Sequence, residues 1–173
     1  MRRCSASFKT SGGRCEVENE SMEFALLAWR DEGKWRVSQL SDEATSDIGI
    51  VLDALRAQQV DGGAIAMLSV DDQFFILIRQ IGARMQMVLS DVITALDYEI
   101  AAEVLELLDL ELPAEDDADE PAGDLNIFTD LGLDAMELQF ICDDDEMFPD
   151  EQLEVIARRI GFGDQFIEVI DKL

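Results

Sequence analysis

A chain of 173 residues carries 39 Asp and Glu against 13 Lys and Arg, a formal net charge of −26, yet 48% of it is hydrophobic. The apolar share excludes disorder throughout, because disorder requires low hydrophobicity as well as high charge. The charge disfavours direct binding to nucleic-acid phosphates and to anionic membrane surfaces, and attracts basic proteins or cations.

Residues 1–21 are rich in Ser, Gly and charge without periodicity, and read as a disordered extension; Met22 offers an alternative start. Residues 22–110 read as an α+β domain. Phe24 to Arg30 and Trp35 to Leu40 form a hairpin around Glu32-Gly33, a register that sets Arg30 opposite Trp35 and Trp29 opposite Arg36. Ser46 to Gln59 is a helix. Its Ile48, Val51, Leu52 and Leu55 recur at i, i+3, i+4 and i+7 as one buried stripe, and Asp61-Gly62-Gly63 stops it.

Three strands follow: Ala64 to Val70, Phe74 to Ile81 and Arg84 to Ser90. The middle one is apolar on both faces and should be central, whereas Met85, Met87 and Leu89 alternate with polar neighbours. Asp97 is expected to cap a helix running to about Leu108, with Ile100, Val104, Leu107 and Leu108 facing the core. The expected fold is therefore a five-stranded antiparallel sheet with helices packed on it, in the order β-β-α-β-β-β-α. That order matches longin- and roadblock-like adaptor domains, which carry helices on one face of the sheet.

Residues 111–123, with five acids (Glu115, Asp116, Asp117, Asp119, Glu120) between Pro113 and Pro121, read as an extended acidic linker. Residues 124–173 read as a C-terminal cluster of short helices. Asp124 caps the first and Gly132 ends it; Asp134 and Glu137 open the second, with Met136, Phe140 and Ile141 as its apolar side. Pro149-Asp150-Glu151 opens a third helix, which closes at Arg158, Arg159 and Gly161, and Asp164 begins the last. Such helices are marginal alone and should dock on the sheet or on a partner.

The chain contains no histidine. This excludes Ser-His-Asp and Cys-His nucleophilic systems and the His-containing zinc sites. The zinc-deaminase signature is missing, and Gly62-Gly63 and Gly161-x-Gly163 match no phosphate-binding loop. Three cysteines (Cys4, Cys15, Cys142) do not make a disulfide scaffold, and with no signal peptide or spanning segment a reducing cytoplasm is expected. Cys142, next to an acidic run, reads as packing with a raised thiol pKa. The residues point to a binding protein without catalytic residues or a cofactor.

Between Arg84 and Arg158 there are 23 acids and no basic residue. The densest cluster is Asp143, Asp144, Asp145 and Glu146 with Asp150 and Glu151. Three readings stand side by side. It is a solvated interhelix loop whose acids favour the next helix start. It is a docking face for a basic partner, with Met147 and Phe148 as apolar anchors. Or it holds a divalent cation, for which it has enough oxygens, although Phe148 occupies the position where an EF-hand loop needs glycine.

Several segments taken together carry a resemblance. They are Phe24-Ala-Leu-Leu-Ala-Trp-Arg30, Ser69-Val-Asp-Asp-Gln-Phe-Phe75, Leu89-Ser-Asp-Val92, Pro121-Ala-Gly-Asp-Leu125, Cys142-Asp-Asp-Asp145, Phe148-Pro-Asp-Glu151 and Ile160-Gly-Phe-Gly-Asp164. In this order, with the acidic segment between, the chain resembles the actinobacterial tRNA adenosine deaminase-associated protein family over roughly residues 23 to 170. The resemblance implies a non-catalytic partner or regulator of the enzyme that edits the wobble adenosine of tRNA, and it brings no catalytic residues to carry over. The alternatives are an acidic dimerising adaptor with an unrelated protein partner, acting as a homodimer, and a metal-dependent hydrolase built on carboxylates.

Overall fold

The computed structural model describes residues 23–58 and 63–173. The expected extension over 1–21, the start at Met22 and the helix stop at Asp61-Gly62 lie outside the described residues. An antiparallel sheet of six strands runs through the centre: β1 (Phe24–Asp31), β2 (Lys34–Gln39), β3 (Ala64–Val70), β4 (Phe74–Ile81), β5 (Arg84–Leu89) and β6 (Ala122–Gly123). Their spatial order is β2-β1-β3-β4-β5-β6.

Local chemistry sets the register. Glu32 (φ 55°) and Gly33 (φ 80°) both take the left-handed region, as a tight hairpin turn matched to strand twist requires. Trp29 then faces Arg36 and Arg30 faces Trp35, as the hairpin spacing predicts. The Arg30 guanidinium sits 5.0 Å from the centre of the Trp35 ring.

The two faces of the sheet bury different side chains. One face presents Ala25, Leu27, Leu68, Ile76, Ile78 and Leu89 to α1 (Ile48–Ala57) and α2 (Glu99–Leu107). The other presents Phe24, Leu26, Ile65, Met67, Phe75 and Leu77 to α3 (Ala135–Asp143), α4 (Pro149–Ile160) and α5 (Gly163–Ile170). Phe24 meets Phe166 edge-on at 5.9 Å, and Trp35 lies tilted against Phe162 at 4.8 Å, so the last helices are tied to the first hairpin. β3 and most of β4 are buried throughout. A strand covered on both sides has no wet face, which is why these segments read as continuous apolar runs.

The structure corrects several expectations. A sixth strand joins the five expected ones: Ala122 and Gly123 pair with Leu89 and Val88, and Val92 N–H donates to Glu120 C=O, which pins the end of the acidic segment to the sheet edge. Helices cover both faces of the sheet, not one. α1 starts at Ile48 because the Asp47 carboxylate accepts from Gly49 N–H. Asp97 does not cap α2. Tyr98 occupies the cap position, and Asp91 caps a preceding 3-10 turn, Val92–Leu96, that the apolar pattern concealed. Leu105 takes the inward place expected of Leu107, which is 51% exposed. The helix expected from Asp124 is a turn that ends in the short 3-10 segment Thr129–Leu131.

Candidate functional site

The acidic cluster forms the connection between α3 and α4. Asp143 is the last residue of α3 and is exposed; both of its carboxylate oxygens accept from Gln139 Nε2, at 3.1 and 3.2 Å. Asp144 is half-buried and accepts from Glu146 N–H at 3.0 Å. Asp145 and Glu146 are exposed. Glu151 accepts from Phe148 N–H at 2.8 Å, satisfying a donor at the start of α4, where Asp150 and Glu151 face the positive helix end. From beneath, the buried Gln152 amide donates to Ile141 C=O at 2.6 Å and to Asp144 C=O at 3.2 Å. The loop is therefore held by the side chains of Asp144, Glu151 and Gln152 bonding its backbone, while Asp143, Asp145 and Glu146 are exposed.

The two expected apolar anchors, Met147 and Phe148, are half-buried. The exposed apolar residues lie instead on α3, where Met136 and Phe140 are 71% and 69% exposed. This reverses their expected place on the buried side of that helix. Leu138 and Ile141 do the packing, and Met136, Phe140 and Asp143, at i, i+4 and i+7, form the outer stripe. That spacing is legible in the sequence. It goes unread when every apolar residue of a helix is assumed to point inward.

Glu137 lies beside this stripe. It does not close the box at the start of its own helix. Instead it takes a bidentate contact from Arg159 at the end of α4, with Nη2 at 2.6 and 2.8 Å from its two oxygens. α3 and α4 are thereby locked across their exposed sides. Cys142, half-buried, has its thiol pushed up to about 12, first by burial and then by the charge of Asp143, which disfavours the thiolate that a nucleophile needs.

A second acidic region lies at the open end of the first hairpin, away from its Glu32-Gly33 turn. A cleft of about 410 Å³ is lined by Glu23, Glu43, Ser46, Tyr98 and Glu99 among others, and an adjoining one by Asp47 and Glu103. Burial, then the nearby charges of Asp71 and Asp72, raise the Glu23 carboxyl; burial, then Glu99, Asp47 and Glu106, raise that of Glu103. Tyr98 donates to Asp71 at 2.5 Å, and burial together with that bond pushes its phenol to about 12. Among the described residues no group of three or more Cys, Asp or Glu is arranged to hold a metal ion. Nor is any helix among them long and apolar enough to cross a membrane.

The arrangement sets exposed acids and the exposed Met136–Phe140 pair side by side on one surface. A model of the Rv3753c-like tRNA adenosine deaminase-associated protein family matches residues 23–163. Protein Rv3753c of Mycobacterium tuberculosis (strain ATCC 25618 / H37Rv) is 41% identical over 153 residues, covering 87% of this chain and 88% of that one. No solved structure matches the chain. The matched region takes in all six strands and the first four helices, including the α3–α4 loop, and on that extent the chain belongs to the Rv3753c-like tRNA adenosine deaminase-associated protein family.

Proposed function

We propose that this chain is a non-catalytic accessory protein that binds the tRNA adenosine deaminase, the enzyme of wobble adenosine-to-inosine editing, through its acidic surface. The observation that carries this reading is the family description joined to a net charge of −26. An enzyme that holds tRNA needs a basic face, and an acidic protein complements such a face while being repelled by the tRNA itself. The absence of histidine supports a binding role over a catalytic one. On this reading Asp143, Asp144, Asp145, Glu146, Asp150 and Glu151, with Met147 and Phe148 half-buried among them, contribute to the contact, and the protein works in the compartment of its partner, the cytoplasm.

The test is affinity capture from the native cell at low and high salt with mass spectrometry, followed by mixing the purified proteins. The deaminase should be enriched, and the complex should weaken as salt screens the attraction. If the two purified proteins elute separately at low ionic strength, the reading fails.

A further inference from the structure

We propose that the outer stripe of α3, Met136 and Phe140 leading into Asp143, Asp145 and Glu146, is a docking surface for a basic, apolar-faced segment of a partner protein. This deepens the accessory role proposed above and rests on it for the identity of the partner only.

Three observations converge. First, Met136 and Phe140 are neighbours one helical turn apart and more exposed than any other large apolar side chains of the described residues, at 71% and 69%. Large apolar side chains grouped at the surface and rimmed by charge mark interaction sites, and aromatic and Met side chains are favoured interface anchors. Second, the acids lie at the wrong end of the helix for its own stability. Asp143 to Glu146 stand at the C-terminal, negative end of α3, where anionic side chains are disfavoured. No Lys or Arg forms an ion pair with Asp143, Asp145 or Glu146 among the described residues, whereas Glu137, Asp130 and Glu154 each hold an arginine. The negative potential of that end is thus left open next to the apolar pair.

Third, the charge selects the occupant. A second copy of this chain would bring the same acids and another −26 to the interface, and an anionic membrane or a nucleic acid would be repelled likewise. A protein segment with Lys or Arg around an apolar stripe satisfies both halves of the surface at once. Its apolar side chains cover Met136 and Phe140, and its cations meet the acids at the end of α3.

The experiment uses the full chain and two probes: an amphipathic leucine–lysine helical peptide and the purified deaminase. Binding is measured by calorimetry to wild type, to Met136→Ser/Phe140→Ser and to Asp143→Asn/Asp145→Asn/Glu146→Gln. These positions are exposed, so circular dichroism should show all three proteins folded alike. The peptide should bind wild type; the apolar variant should weaken it by about tenfold or more, and the charge variant should weaken it and flatten its salt dependence. Equal peptide affinity for wild type and both variants, or no binding at all, overturns the proposal. If wild type takes the peptide on α3 but ignores the deaminase, the surface stands and the association with that enzyme falls. If the deaminase binds both variants as tightly as wild type, the association stands and the surface falls. Self-association of wild type that disappears in the apolar variant would mean that the occupant is a second copy, which also overturns the proposal.

Discussion

The guanidinium of Arg79, buried in the middle of β4, lies 2.6 and 3.0 Å from the two carboxylate oxygens of Asp130, and it also donates to Ile127 C=O at 2.8 Å. The pair ties the sheet to the segment that leads into α3. Its two ends differ, because the Arg79 side chain is 4% exposed while that of Asp130 is 64% exposed.

That asymmetry separates two variants. Arg79→Ala removes three hydrogen bonds and leaves a cavity, so urea unfolding should show a loss of about 2–4 kcal/mol. Asp130→Asn alters only the exposed end of the pair and keeps an acceptor and the Ile127 bond, so its loss should be smaller, about 1–2 kcal/mol. The hydrogen bonds from Arg79 hold the Asp130 carboxyl below the usual aspartate value of 3.8. A depressed folded pKa means stability that is present at neutral pH and lost as pH falls through the folded value. The gap between wild type and Asp130→Asn should therefore close in acid, and a gap constant down to low pH would contradict this account.

At the acidic cleft the sign is opposite. Glu23 and Glu103 are raised, so their ionised forms cost stability at neutral pH and the cost is relieved as pH falls through the raised values. Glu23→Gln and Glu103→Gln should each stabilise the fold at pH 7 by less than about 1 kcal/mol, since both groups are largely solvated. The gain should shrink with added salt and vanish when wild type itself is protonated, which thermal melts across pH would register.

Gly123 should tolerate no side chain. Its φ is 111°, and a Cβ there would lie 2.1 Å from the carbonyl oxygen of Met87, a backbone atom that cannot rotate away. Gly123→Ala should detach β6 and lower stability by at least about 2 kcal/mol, measured by denaturant unfolding. Gly33→Ala, at a hairpin turn with open space around it, should cost less, about 1 kcal/mol.

Cys142 should be inert in the native protein. Burial and the charge of Asp143 raise its thiol pKa and so disfavour the thiolate, through which modification proceeds. In a chain whose Cys4 and Cys15 are replaced by serine, a disulfide reagent should label Cys142 far more slowly than free cysteine, and at once after unfolding.

The sheet was largely legible. Glu32-Gly33 announces a tight turn, so the register of Trp29 and Arg30 against Arg36 and Trp35 follows from counting, and the all-apolar β4 announces a central strand. What escaped depends on contacts distant in sequence. β6 is only two residues and owes its existence to β5. Arg79 looks like any strand arginine until Asp130 is brought to it. Met136 and Phe140 pattern as well inward as outward, and only the packing of Leu138 and Ile141 against the sheet decides between the two. The roles of Glu151 and Asp134 at helix starts were readable because capping is local.

The contact between Phe24 and Phe166 joins the first described strand to the last helix. Ribosomes make a chain from its N-terminus, so Phe24, Phe75 and Leu77 emerge well before the helices that shelter them. Until translation is nearly finished, a greasy sheet face waits uncovered. Most of the net negative charge lies after residue 90, so it arrives with the helices that cover that face and not before them.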